Sequence, residues 1–178
     1  RFFNRLWVAN EKTGPLDHSS ILFLEDHNAD GDANDPGEAV EYYVPAPGGA
    51  IGDSVPAHVD QGIDGHVYFL EDGTTGARSK GVYELTDIDG SGAIDQPNEA
   101  TLFWAPPTQP LPAELASFDQ QDDGAWTVLD RANRRVYRMR DANDDGVISN
   151  STELVLWWSL PLGLDLYDIA VSNAWGDL

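Results

Sequence analysis

The sequence contains no cysteine, only two lysines (Lys12 and Lys80) and a single methionine among its 178 residues. Without cysteine there is no disulfide to stabilise the fold, and thiolate metal sites are excluded. No apolar run reaches 18 residues, so a transmembrane helix is not expected. The chain begins at Arg1 in the approach to a strand, which we interpret as a mature product, a trimmed product or a fragment.

Basic residues are also scarce, because 31 acidic residues face only 10 basic ones and the net charge is -21. Phosphate contacts need clustered Lys and Arg, so nucleic-acid binding is not expected. The one basic cluster lies on a short predicted hairpin, where a solvated face is the simplest interpretation. With 41% hydrophobic residues and six each of Trp, Tyr and Phe, the chain has enough apolar surface for a globular core.

An acidic loop of thirteen residues occurs three times. Loop 1 is DHNADGDANDPGE from residue 26, loop 2 is DIDGSGAIDQPNE from residue 87, and loop 3 is DANDDGVISNSTE from residue 141. Each loop has side chains that carry oxygen at positions 1, 3, 5 and 9, Gly at position 6 and Glu at position 13. Alternating oxygen ligands around a tight turn are what a hard cation such as Ca²⁺ requires.

We therefore predict up to three Ca²⁺ ions per chain. The candidate ligands, including main-chain carbonyls at position 7, are Asp26, Asn28, Asp30, Asp32, Asn34 and Glu38 in loop 1, Asp87, Asp89, Ser91, Ala93, Asp95 and Glu99 in loop 2, and Asp141, Asn143, Asp145, Val147, Ser149 and Glu153 in loop 3. Ser91 makes loop 2 the weakest candidate, and the glutamate is either a ligand or a partner of the ligands. The alternative is three turns rich in Asp, Asn and Gly that bind no ion.

The runs that flank the loops are short, β-branched and aromatic, which is typical of strands. Four such strands in about 55 residues have the dimensions of a β-propeller blade. We predict an all-β, single-domain β-propeller over residues 1–178, with blade-like repeats at 1–56, 57–115 and 116–164, and with 165–178 completing a blade. Propellers have 4–8 blades, so three four-stranded blades predict half or a fragment of a six-bladed ring, closed by a second copy or a missing segment.

The loops resemble the calcium-binding hairpin loops of integrin-type propeller repeats, or a dockerin-like half-motif set between strands. The strand flanks and the Glu at position 13 instead of 12 separate them from EF-hands. The segments VYFLEDGTTG (67–76) and GVYEL (81–85) resemble the blades of PhoX-type calcium-dependent alkaline phosphatases. That resemblance implies ions held at the ring centre and phosphoester hydrolysis, and it assigns no catalytic residue here.

Three aromatic pairs occupy equivalent positions after the loops: Tyr42-Tyr43, Phe103-Trp104 and Trp157-Trp158. We expect core packing with one ring of each pair on each face of a sheet. Platforms for sugar rings are the alternative, and they require an exposed tryptophan. His58, Asp60, Asp64 and His66 flank one turn, where they form either a shared site or an ordinary polar loop.

No nucleophile elbow, P-loop, dinucleotide fingerprint or zinc-protease motif is present, and the catalytic residues, if any, are unknown. The sequence favours a calcium-stabilised propeller that serves as a binding or scaffold module for a protein or glycan. We expect it to be secreted or periplasmic, because extracellular Ca²⁺ is millimolar and loops of this kind can then bind it. The alternatives are a calcium-dependent, phosphoesterase-like hydrolase with its active site at the ring centre and a carbohydrate-binding propeller.

Overall fold

The computed structural model describes residues 5–10, 19–43, 45, 54–71, 79–107, 113–161 and 167–169. In these ranges the protein forms strands and one short 3₁₀ helix, Pro97–Glu99, so the all-β prediction is confirmed. The strands are β1 Arg5–Asn10, β2 Ser20–Glu25, β3 Ala39–Tyr43, β4 Pro56–Gln61, β5 Val67–Glu71, β6 Gly81–Leu85, β7 Ala100–Trp104, β8 Leu115–Gln120, β9 Trp126–Asp130, β10 Arg135–Met139 and β11 Leu154–Ser159.

The strands form three antiparallel sheets in which neighbours in sequence are neighbours in space. Sheet 1 has the order β1-β2-β3, sheet 2 the order β4-β5-β6-β7, and sheet 3 the order β11-β10-β9-β8. Of residues 165–178, which are predicted to complete a blade, only 167–169 belong to the described part of the chain, and they are not in a strand. Among the described residues the three sheets do not close into a ring.

A β-bulge lies at the same place in every sheet and positions the aromatic pairs. In sheet 2, Val82 pairs with Trp104 but Tyr83 pairs with Leu102, so Phe103 is the extra residue of the bulge. A bulge interrupts the alternation of side chains between faces. Phe103 and Trp104 therefore lie in the same hydrophobic cluster, and the expectation that this pair divides between two faces was wrong.

The sheets pack face to face through two hydrophobic clusters. The 1–2 core lies between sheets 1 and 2 and contains Ile21, Tyr43, Val67, Phe69, Tyr83, Leu85, Ile94 and Ala100. The 2–3 core lies between sheets 2 and 3 and contains Tyr68, Leu70, Val82, Phe103, Trp104, Ala113, Leu115, Phe118, Trp126, Val128, Tyr137, Met139 and Ile148. Sheet 2 is therefore covered on both faces, which is why all of β5 is buried.

The first strands of successive sheets lie side by side, because β4 contacts both β1 and β8. The acidic loops connect β2 to β3, β6 to β7 and β10 to β11. Each loop therefore joins the two strands furthest from this row of first strands. The described part of the chain contains no helix that is long and apolar enough to cross a membrane.

Candidate cation-binding loops

The three acidic loops have positive φ angles at the same two positions despite their different sequences. At position 4 the residues have positive φ values of 62°, 73° and 60°, in Ala29, Gly90 and Asp144. At position 6 the φ values are 98°, 86° and 79°, in Gly31, Gly92 and Gly146. Sequence reasoning identified the glycine at position 6. It missed position 4, because Ala29 is unfavourable in the left-handed region and gives no sign of it.

The aspartate at position 1 is fixed by main-chain N–H groups of its own loop. In loop 1, Ala29 N–H donates to Asp26 Oδ1 at 2.6 Å and Gly31 N–H donates to Oδ2 at 2.9 Å. In loop 2, Asp87 receives N–H groups from Gly90 and Gly92, each at 2.8 Å. Asp141 accepts in the same way from Asp145 and Gly146. The carboxylate at position 1 is therefore held in place in all three loops.

The side-chain oxygens at positions 3 and 5 accept the main-chain N–H group two residues further on. This hydrogen bond forms the Asx turn expected of Asp and Asn. At position 3, Asp89 Oδ1 accepts from Ser91 at 2.9 Å and Asn143 Oδ1 accepts from Asp145 at 3.2 Å. Asn28 does the same in loop 1. At position 5, Asp30 and Asp145 each accept the N–H group of the residue at position 7 of the same loop. The alternating pattern therefore produces successive Asx turns along each of these loops.

The glutamate at position 13 is buried and ties the two ends of its loop together. Glu153 is 7% exposed. It accepts Ala142 N–H on Oε1 and Ser149 N–H on Oε2, both at 2.8 Å. Glu38 and Glu99, at 2% and 1% exposure, accept the N–H groups at position 2 and at positions 9 or 10. The structure thus gives position 13 a role as a main-chain clamp, which the ligand pattern did not predict.

The pKa of Glu99 is lowered by these contacts. The N–H of Gln96 has the largest effect, and the N–H groups of Asp95 and Ile88 add to it, against the opposing effect of desolvation. A carboxylate that accepts several N–H bonds favours its ionised form. Glu99 is therefore a stable negative charge at the base of loop 2.

Loop 2 brings its carboxylates closest together. Asp87, Asp89 and Glu99 each place one oxygen within 4.8 Å of the others, an arrangement that one metal ion can bridge. In loops 1 and 3 position 3 is Asn, and the amide of Asn143 donates to Asp145 Oδ2 at 2.9 Å. Three carboxylates therefore converge in loop 2, which the sequence ranks third because of Ser91.

The predicted ligands at positions 7 and 9 make local contacts in the structure. The Ala93 carbonyl accepts the Ser91 hydroxyl at 3.0 Å. At position 9, Asp95 Oδ1 accepts from the Gln96 amide at 2.8 Å, and Ser149 Oγ lies 3.0 Å from Ser151 Oγ. In loop 2, the converging group of Asp87, Asp89 and Glu99 does not include Asp95.

Loops 2 and 3 are attached to the preceding sheet through position 8. Ile94 N–H donates to the Tyr42 carbonyl at 2.6 Å, and Ile148 N–H donates to the Phe103 carbonyl at 2.7 Å. Both isoleucines are buried, at 1% and 4% exposure. In loop 3, Trp104 Nε1 also donates to Asn150 Oδ1 at 2.9 Å. We call the attachment of a loop to the preceding sheet through the residue at position 8 the loop latch. Sequence reasoning missed it, although an isoleucine at position 8 in two of three copies was a visible sign.

A cleft of about 530 Å³ opens between sheets 2 and 3 beside loop 3. Its walls include the aromatic rings of Tyr68 and Trp126 and the carboxylates of Asp64, Asp141 and Asp145. The Tyr68 hydroxyl donates to Asp64 Oδ2 at 2.8 Å, so the two side chains are already paired.

The four polar residues around the turn at Asp64 do not all meet. Asp64 Oδ1 accepts the His66 N–H at 2.9 Å, and both residues line the cleft. The His58 ring packs on Phe118 with centroids 5.1 Å apart, whereas His66 Nδ1 lies 2.5 Å from Glu84 Oε1. The interpretation as an ordinary polar loop fits this separation. Asp60 has a different neighbour, because it lies beside Asp119 of β8.

Asp60 is a partly buried carboxyl group whose pKa is raised from 3.8 to about 6. Desolvation is the main cause, and repulsion from Asp119 adds to it, whereas the N–H of Gln61 opposes it. The folded state therefore binds one more proton than the unfolded chain between about pH 4 and pH 6. The free energy of unfolding consequently decreases as the pH rises through this interval.

We expect Asp60→Asn to remove this pH dependence. The variant should be more stable than the wild type at pH 8 by about 1–2 kcal/mol, less than the full shift implies because Asp60 is partly solvated. Urea unfolding at pH 4, 6 and 8 measures it. Asp122→Asn, at an exposed position, is the control. If the free energies of unfolding of Asp60→Asn and Asp122→Asn differ by the same amount at all three pH values, the raised pKa of Asp60 is contradicted.

Comparisons of this chain with protein-family models, with curated proteins and with solved structures found no match.

Proposed function

We propose that this protein is a secreted or periplasmic half or fragment of a β-propeller that is stabilised by Ca²⁺ and serves as a binding or scaffold module. One observation carries the proposal. Three loops of different sequence have positive φ angles at positions 4 and 6 and a carboxylate at position 1 that main-chain N–H groups hold, and in loop 2 three carboxylates converge within 4.8 Å.

The chemistry of the loops favours calcium over transition metals. The candidate ligands are all oxygen atoms, and the chain offers no thiolate. Carboxylates as close as those of Asp87, Asp89 and Glu99 repel one another, and a divalent cation relieves that repulsion. Loops of this design bind usefully where Ca²⁺ is millimolar, which supports an extracytoplasmic location.

The sheet arrangement supports the propeller part of the proposal. Each repeat forms a sequential antiparallel meander, successive sheets pack face to face, and their first strands lie side by side. Blades of a propeller have these relations around a central axis. Three repeats then correspond to half of a six-bladed ring.

The loop latch explains how an ion in a peripheral loop would stabilise the whole molecule. Loop 3 contacts Phe103 of sheet 2 through Ile148, so fixing the loop also fixes the contact between sheets 2 and 3. A rigid sheet-on-sheet assembly is what a scaffold requires.

Calcium titration tests the proposal directly. We expect isothermal titration calorimetry to detect between one and three Ca²⁺ ions per chain, with much weaker binding of Mg²⁺. At ten times its Kd, a single occupied loop adds about 1.4 kcal/mol to the stability, which EDTA should remove.

The variant Asp87→Asn with Asp89→Asn should lose one binding event, whereas Asp122→Asn should lose none. A melting temperature that is the same in Ca²⁺ and in EDTA, together with no heat of binding, would refute the calcium proposal.

A calcium-dependent hydrolase is a second candidate, and Asp60 favours it. A carboxyl group with a pKa near 6 beside a second carboxylate, Asp119, is suited to general acid-base work. The pair lies on β4 and β8, among the first strands that would line a ring centre. A phosphomonoesterase assay in Ca²⁺ tests it: turnover that Asp60→Asn abolishes would favour the hydrolase over the scaffold.

A further inference from the structure

Each sheet presents a trailing face toward the next sheet, and the aromatic pair after the loop lies on it. Tyr43 of sheet 1 and Trp104 of sheet 2 are both 0% exposed, because the following sheet covers them. Trp158 is the equivalent residue of sheet 3, paired with Val136 as Trp104 is paired with Val82. It is 49% exposed, and its neighbour Trp157 is 59% exposed.

The trailing face of sheet 3 is covered only in part by described residues. Leu129 and Val136 are buried there together with Leu160 and the partly buried Ile169. The outer part of the face, on β11, carries the two indoles and Val155, which is 59% exposed. Two tryptophans and a valine therefore form an apolar surface at one end of the molecule.

The opposite end presents the complementary face. Within sheet 1, Trp7 pairs with Phe23 and faces the 1–2 core. The alternate pairs, which face away from that core, are Leu6 with Leu24 and Val8 with Leu22. Leu6 is 62% exposed, and the other three are partly exposed. We call these four residues the leading face.

Inside the molecule, a trailing face packs against a leading face twice. The leading face of sheet 2 includes Phe69 and Leu85, which occupy the register positions of Val8 and Leu24 in sheet 1. Both are buried against sheet 1. The two exposed ends are thus the two halves of an interface that the protein already builds twice.

We infer that the trailing face of sheet 3 docks on the leading face of sheet 1 in a second copy of this chain. The latch fits this contact, since the second copy's loop 1 presents Ala33 where the other loops present isoleucine. A smaller side chain then meets the largest of the three aromatic pairs, so the two changes in volume have opposite signs. The equivalent hydrogen bond would join Ala33 N–H to the Trp157 carbonyl.

This interface is heterologous, with different surfaces on the two partners, and such contacts give rings when the rotation closes. The inference rests on the proposed six-bladed propeller in one respect, which is the number of copies. Two copies with three sheets each supply the six sheets that complete the ring. The trailing face of sheet 3 and the leading face of sheet 1 are then covered in both copies, and the assembly is a dimer.

Sedimentation velocity between about 1 µM and about 200 µM, in Ca²⁺ and again in EDTA, tests the inference. We expect a species of twice the 19.4 kDa chain mass. Trp158→Arg and Leu6→Arg each place a charge in one half of the interface, and each should weaken self-association at least tenfold. Ile63→Arg, at a residue that is 68% exposed in the β4–β5 turn, is the matched control and should behave as the wild type.

Mixing the two variants adds a test that a nonspecific contact would fail. Trp158→Arg retains an intact leading face and Leu6→Arg retains an intact trailing face, so a mixture should recover a one-to-one complex that neither forms alone. Circular dichroism confirms that both variants are folded. A monomer at every concentration, or a dimer that neither substitution weakens, would overturn the inference. A dimer without any heat of Ca²⁺ binding would leave it standing and refute only the calcium proposal.

Discussion

Replacing Glu153 by alanine should lower the stability of the protein by about 3 kcal/mol, because a buried carboxylate is lost and two partly buried main-chain N–H groups lose their acceptor. The Glu153 carboxylate receives Ala142 N–H and Ser149 N–H at 2.8 Å, from opposite ends of loop 3. For a chain of this size the melting temperature should decrease by about 6–12 °C. Thermal unfolding followed by circular dichroism measures the change.

The same experiment in EDTA separates a role of position 13 as a main-chain clamp from a role as a metal ligand. If Glu153 acts as a clamp, Glu153→Ala destabilises the protein with or without Ca²⁺. If it acts only as a metal ligand, the loss of stability disappears in EDTA. Glu153→Gln keeps one acceptor oxygen and should lie between the two, and Asp122→Ala should have little effect. Equal melting temperatures of wild type and Glu153→Ala in EDTA would rule out the clamp.

The strands could be predicted from sequence because their signals are local. Runs such as VYELTD and VYRMRD are β-branched and aromatic, and Gly and Asp residues mark the turns. The bulges could not be predicted. An extra residue such as Phe103 changes the register against β6, and register depends on the partner strand and not on the run itself.

The loops were predictable to the extent that their chemistry is periodic. Asp87 and Asp89 are recognisable from the alternation of oxygen-bearing residues, and both lie in the converging group of loop 2. The role of Glu99 was not recognisable, because its partners are main-chain N–H groups that no side-chain pattern shows. The latch was missed for a similar reason, since the partner of Ile148 lies in the preceding repeat, 45 residues upstream at Phe103.

Ile148→Ala is the second substitution with a large expected effect. The Ile148 side chain is 4% exposed and belongs to the 2–3 core, so its truncation removes apolar contacts and leaves a cavity. Replacing a buried isoleucine by alanine typically costs about 2–5 kcal/mol. We expect a loss of about 3 kcal/mol in urea unfolding, and Val147→Ala, at a neighbour that is 49% exposed, should cost less than about 0.5 kcal/mol.

The loop latch predicts a second effect of Ile148→Ala, because loop 3 takes part both in ion binding and in the packing of sheets 2 and 3. If a fixed loop 3 favours both, loosening its attachment at Ile148 must weaken Ca²⁺ binding in loop 3, and Ca²⁺ must in turn strengthen the contact between sheets 2 and 3. Calorimetry on Ile148→Ala should therefore show one weakened site, while the site in loop 2, which is attached through Ile94, keeps its affinity. Unchanged affinity at every site, together with the expected loss of stability, would show that Ile148 only fills the core and does not connect the loop to it.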